Sequence, residues 1–259
     1  MKALTLPLIM LSTSLFISLV FWGCSSGPEH KLNGDKILFV TTSHSSLGKT
    51  GKKTGAYISE ITHPYQILSS AGYQIDFVSP EGGEVPLDGM DKIDKKGEAL
   101  LSSTSFNKKI KNSMRPEQVD SSIYKAIYFA GGHGAMFDLP DNKKLQQITR
   151  EVYEQKGVVG AVCHGPAGLV NTRLSNGRYL IDGKKVAAFT NEEERAVGLS
   201  KVMPFLLETK MVQRGAKHSE KPNFKEHTVV SGRLVTGQNP ASAERVGVEI
   251  LKLLRQQKH

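Results

Sequence analysis

Cysteine is almost absent: the 259-residue chain has two, Cys24 and Cys163. Two thiols exclude a disulfide-rich scaffold and any four-cysteine zinc site. The eight histidines show no H-x-H or H-E-x-x-H spacing, so no metal site is expected. No G-x-G-x-x-G opens a helix after the first expected strand, so no nucleotide cofactor is expected. A dense basic stripe is also missing. Lys and Arg outnumber Asp and Glu by nine, but the excess is scattered in pairs such as Lys52-Lys53, Lys95-Lys96, Lys108-Lys109 and Lys184-Lys185. That pattern describes a solvated basic surface and argues against a nucleic-acid partner. Internal repeats and interdomain linkers are lacking. What is present, 39% apolar and 23% charged residues with 25 Gly and 11 Pro, fits a globular chain of α/β size.

The N-terminus reads as an address. Lys2 is followed by no charge from Ala3 to Pro28, and residues 4–22 are mostly Leu, Ile, Val, Phe and Ser. The stretch ends in Gly23-Cys24-Ser25-Ser26, which resembles a bacterial lipoprotein signal. That resemblance implies cleavage before Cys24 and lipidation of it, with residues 1–23 as signal peptide and 24–35 as a polar tether. It also implies a place in the bacterial cell envelope, and Ser25 favours the outer membrane. Phe21 and Trp22 are bulkier than the lipoprotein pattern, which leaves an uncleaved anchor helix as the alternative. Under either reading residues 36–259 work outside the cytoplasm, where Cys163 has no disulfide partner within the chain.

From residue 36 onward apolar runs and helical periodicities alternate. Strands are expected at 36–40, 73–78, 123–130, 157–162 and 186–189, with a hairpin of 227–230 and 233–236 around Ser231-Gly232. Helices are expected at 55–71 despite Pro64, and at 142–155, 164–170, 202–212 and 240–257. Residues 81–112, rich in Gly, Lys and Asp, read as an irregular excursion. The alternation predicts an α/β fold: an open, mostly parallel sheet with helices on both faces.

Ala161-Val162-Cys163-His164-Gly165 has the form small-x-nucleophile-x-small between an expected strand and an expected helix. That is the pattern of a nucleophile elbow, which presents the sulfur at the C-terminal edge of the sheet. The positive end of the following helix is expected to lower the thiol pKa and supply thiolate.

The run Gly160-Ala-Val-Cys-His-Gly-Pro-Ala-Gly168 resembles the ThiJ/PfpI superfamily, whose fold is flavodoxin-like and akin to class I glutamine amidotransferases. Six further stretches sharpen the resemblance toward its heat-shock-protein-31-like glyoxalase III branch, also described as chaperones and protein deglycases. They are Thr54-Gly-Ala-Tyr-Ile-Ser-Glu60, His63-Pro64-Tyr65, Phe77-Val-Ser-Pro80, Gly131-Gly-His-Gly134 with Asp138-Leu-Pro140, Ala188-Phe-Thr-Asn-Glu-Glu-Glu194, and Leu234-Val-Thr-Gly-Gln-Asn-Pro-Ala-Ser242. The resemblance implies a glutathione-independent enzyme that turns a small 2-oxoaldehyde such as methylglyoxal into a 2-hydroxy acid, often as a homodimer.

Cys163 would add to the aldehyde and His164 would move the proton between the two carbons. Glu60 falls on the acidic position of the branch's first helix, beside the sulfur. Glu194 falls on the third triad position, with Glu192 and Glu193 as neighbouring alternatives. Gly131 and Gly132 can offer amides as an oxyanion hole, and His133 can line the pocket or cap its loop. The rival readings are an amidotransferase- or peptidase-like hydrolase and a non-enzymatic envelope holdase. His218-Ser219-Glu220 fits the hydrolase spacing but reads as a solvated loop.

Overall fold

The computed structural model describes Met1, Ala3 and residues 34–257. The chain divides into two units, Met1–His30 and Lys31–His259. All of the expected leader but Met1 and Ala3, together with Cys24 and nearly all of the tether, lies outside the described residues. Among the described residues, no helix is long and apolar enough to cross a membrane.

The first half runs β1 (Lys36–Val40), β2 (Ala56–Tyr57), α1 (Ile58–Ser70), β3 (Gln74–Val78), β4 (Leu87–Asp88), α2 (Lys95–Leu101), α3 (Thr104–Lys111), β5 (Tyr124–Phe129) and α4 (Ala135–Asp138). The second half runs α5 (Lys143–Glu154), β6 (Val158–Val162), β7 (Lys185–Val186), α6 (Asn191–Ala196), α7 (Leu207–Gln213), β8 (Lys217–His218), β9 (Thr228–Ser231), β10 (Leu234–Gly237) and α8 (Ala243–Gln256).

Six strands form one sheet in the order β3-β1-β5-β6-β10-β9. Every pairing is parallel except the β9–β10 hairpin. The alternation of side chains splits the core in two. Ile37, Phe39, Tyr128 and Val162 pack on one face with Ile61 and Leu68 of α1 and Val246 and Ile250 of α8. Leu38, Val40, Ile127, Phe129 and Ala161 pack on the other with Leu145, Ile148 and Val152 of α5. Helices cover both faces, as a buried parallel sheet requires. The sheet is therefore open, flavodoxin-like and mostly parallel, as expected from the alternation.

Four local expectations need correction. Residues 81–112 are not irregular: they hold α2, capped by Asp94, whose Oδ1 accepts from Gly97 N–H at 2.8 Å, and α3, which buries Phe106 and Ile110. The segment after Cys163 is a five-residue 3-10 turn, Gly165–Leu169, rather than a helix. A Cβ at Gly165 would strike the Phe129 carbonyl, so the turn lies pressed against β5. The strand at 186–189 shrinks to β7. Past it, Ala187 N–H bonds Thr236 Oγ1 at 2.9 Å and Phe189 N–H bonds Cys163 O at 3.0 Å, so these amides go to a β10 side chain and to the elbow instead of a ladder. The helix expected at 202–212 is only α7.

Candidate active site

Cys163 follows β6 directly, with φ 58°. A left-handed conformation at a residue with a side chain costs on the order of 1–3 kcal/mol and persists only where its surroundings enforce it. Here they do: its N–H donates to Gly237 O at 2.9 Å and its C=O accepts from Phe189 N–H at 3.0 Å. The elbow expected from the small flanking residues is present.

The bend brings adjacent side chains together. Cys163 Sγ lies 3.3 Å from His164 Nδ1, and His164 Nε2 lies 2.7 Å from Glu194 Oε2. Burial pulls His164 down to about 4, with the charge of His133 adding to it and Glu194 opposing. Burial alone would raise Glu194, but hydrogen bonds from His133 and His164 outweigh it and hold the carboxyl at about 2. At neutral pH an ionised Glu194 thus accepts from His164 Nε2–H. Nδ1 is left as a base facing the sulfur.

Glu60 comes from the first turn of α1 and is fully buried. Its Oε2 accepts from Gly131 N–H at 2.7 Å, while Oε1 has no partner of ordinary hydrogen-bond geometry. Burial pushes this carboxyl up to about 8, against lowering interactions with Cys163 and the Gly131 amide. Pro64 explains how Glu60 is seated. Proline has no N–H for the carbonyl four residues earlier; that carbonyl, Glu60 O, accepts instead from Tyr128 OH at 2.7 Å.

The expectation of a low thiol pKa is overturned. Burial, then the charge of Glu60 and the hydrogen bond with it, push Cys163 well up, and only the Gly132 amide opposes them. A five-residue 3-10 turn supplies no helix end to offset this. The two acids are coupled, and at neutral pH both hold their protons.

The paired oxyanion amides also need correction. Gly131 N–H is committed to Glu60, so of the two only Gly132 directs its amide at the sulfur. Gly132 needs to be glycine: its φ is 96°, and a Cβ would collide with Gly55 O.

His133 neither caps a loop nor stands apart. Its Nε2 lies 3.2 Å from Glu194 Oε1 and its ring 4.3 Å from that of His164, so Glu194 bridges two imidazoles. With its side chain 19% exposed, His133 is the most open member of a group whose sulfur residue is 3% exposed. The metal-binding atoms of His133, His164 and Glu194 lie within 4.8 Å of one another, a grouping no sequence spacing announces.

Of the three glutamates, Glu192 is exposed and Glu193 is a structural hub. Glu193 accepts from Thr190 N–H, Phe224 N–H, Gln238 Nε2 and Asn239 Nδ2. The capping-box spacing of Thr190 and Glu193 was the available signal for this role. Phe189, whose ring sits 4.4 Å from that of His164, carried no such signal. His218 does not join this cluster or sit in a solvated loop: it lies on β8 and groups with Glu208 and Glu220.

The DJ-1/PfpI family model matches residues 53–253. The glutathione-independent glyoxalase HSP31 of Saccharomyces cerevisiae is 33% identical over 238 residues, covering 85% of this chain and 98% of that protein. Glyoxalase 3 of Candida albicans is 35% identical over 229 residues, covering 83% and 97%. Among solved structures, the 24 kDa rapid encystment protein of Francisella tularensis superposes with a TM-score of 0.82 at 38% identity, covering 85% of this chain and 99% of that one. Glyoxalase III from Candida albicans superposes at 0.78 and 31%, covering 84% and 96%. With its elbow cysteine, its flavodoxin-like sheet and these matches over most of its length, the chain belongs to the DJ-1/PfpI family.

Proposed function

We propose that this chain is a cysteine-dependent, glutathione-independent glyoxalase acting on small 2-oxoaldehydes. One observation carries the reading: a thiol, an imidazole base and an ionised carboxylate stand in line, at 3.3 and 2.7 Å, on an enforced elbow. The names and coverage of the relatives support the same activity.

In the proposed reaction Sγ attacks the aldehyde carbon while its proton passes to His164 Nδ1 and from there to the former carbonyl oxygen, giving a hemithioacetal and a neutral imidazole again. The thiol is protonated at rest, so attack and proton transfer are coupled. His164 then removes the hydrogen from the former aldehyde carbon and returns a proton to the neighbouring carbon. The product is a 2-hydroxy thioester. Water cleaves its C–S bond, restoring the thiol and releasing the 2-hydroxy acid. In sum one aldehyde and one water become one acid, with no external oxidant or reductant. Glu194 holds the imidazole orientation and stabilises its cationic form. Neutral Glu60 keeps a second negative charge away from the developing thiolate.

The test is purified protein with methylglyoxal, without glutathione, following D-lactate. The wild type is expected to form lactate. Cys163→Ser is expected to lose at least about a thousandfold in kcat/KM, as removal of a nucleophile does. Lactate formation that survives this substitution ends the reading.

We also propose, from the leader sequence alone, that the protein is lipid-anchored through Cys24 in a bacterial envelope.

A further inference from the structure

His218-Ser219-Glu220 is left unused by chemistry at Cys163, yet the structure does not leave it as plain surface. The His218 side chain is 7% exposed, and its buried Nε2 has no hydrogen-bond partner. A buried polar atom in that state is costly and calls for an explanation. Its Nδ1 lies 4.0 Å from Glu220 Oε2, too far for a hydrogen bond. Glu208, in the first turn of α7, brings a second carboxylate. One ligand atom from each of Glu208, His218 and Glu220 lies within 4.8 Å of the other two. Ligand atoms held about 2.0–2.2 Å from a shared zinc ion stand roughly 3–4 Å apart, close to this spacing.

The contrast with the active site is informative. There the Nε2 atoms of His133 and His164 are both spent on Glu194. The His218 imidazole has no comparable partner. Glu208 is already oriented, because its Oε2 accepts from Asn191 N–H at 2.7 Å. Carboxylate ligands of metals are commonly fixed by such bonds. Glu220 is half-exposed and gives an ion a way in.

We propose that Glu208, His218 and Glu220 form a binding site for a divalent transition cation of the zinc class, separate from Cys163. One imidazole and two carboxylates suit such an ion and leave positions for water. Because Glu208 holds the first residue of α6, the bound ion ties β8 and α7 to the helix that carries Glu193 and Glu194. The site is independent of the glyoxalase reading.

The full-length chain titrated with Co2+ and Zn2+ provides the test. One ion per chain is expected, without the thiolate-to-cobalt absorption that a cysteine ligand produces. Glu220→Gln, at a half-exposed position, is expected to weaken binding at least about tenfold, the scale seen even for outer partners of metal sites. His218→Gln is expected to do the same, and Cys163→Ser to change nothing. Zn2+ should raise the unfolding temperature of the wild type and not that of Glu220→Gln. Absence of uptake, equal affinity in wild type and Glu220→Gln, or binding that vanishes in Cys163→Ser overturns the proposal.

Discussion

Burial sorts the ionisable groups around Cys163 into proton holders and proton acceptors. Glu60 keeps its proton to about pH 8, while His164 stays neutral down to about 4. Activity therefore needs a pH above the His164 value and below the Glu60 value. The kcat/KM profile is expected to be bell-shaped, with limbs near 4 and 8, each falling about tenfold per pH unit beyond its limb. Glu60→Gln retains a neutral amide beside the sulfur, so it should move the alkaline limb upward and leave the acid limb in place. Identical profiles would remove Glu60 from the mechanism.

Stability responds with the opposite sign to the usual carboxylate. Glu60 binds its proton more tightly folded than unfolded, so folding weakens as pH rises from about 4.5 and the loss is complete above about 8. Urea unfolding should show this decline, on the order of 3 kcal/mol at pH 7, and Glu60→Gln should flatten it. At this scale Cys163 and His164 were legible because adjacency and small neighbours are sequence facts. The thiol's protonation was not, because it depends on burial and on a carboxyl about a hundred residues away in the chain, brought close only by the fold.

At the scale of elements, α6 shows how neighbouring residues of one type part company. Three successive glutamates fall at different angles around a helix whose start is set by the Thr190 cap. The cap turns Glu193 into the interior among four N–H donors and leaves Glu192 exposed. Glu194 is carried to the two imidazoles. Glu193→Ala is expected to destabilise the fold by about 3 kcal/mol or more in urea, because four N–H donors lose their acceptor. Glu192→Ala should stay within about 0.5 kcal/mol, as surface changes do. Equal effects would mean that the hub is not what fixes α6.

The longer elements were readable because their apolar spacing is set by the sheet and its covering helices. The short ones were not. α3 buries only Phe106 and Ile110, too few for a period, and the turn after Cys163 is shaped by contact with Phe129 rather than by local preference. Strand β7 ends where backbone amides turn to Thr236 and Cys163, a choice made by distant residues.

Across the whole molecule, the site gathers at the carboxyl edge of the sheet, where open α/β folds place ligands. Gly131 follows β5 closely and Cys163 follows β6 directly, while α1 and α6 deliver Glu60 and Glu194. All of these groups lie beyond residue 59, so chemistry at Cys163 is separable from whatever the leader does. That separation makes the anchor proposal testable on its own. Under that proposal, multiple acyl chains on Cys24 would contribute about 0.8 kcal/mol per buried CH2, enough to hold a protein at a membrane, whereas one chain binds marginally. When expressed in a bacterium with a lipoprotein pathway, the wild type is expected in the detergent phase of a partition assay. Cys24→Ala is expected to shift most of the protein to the aqueous phase, with kcat/KM for methylglyoxal unchanged. Retention of both forms in the detergent phase, with residues 1–23 still attached by mass, would replace the lipid anchor with an uncleaved one.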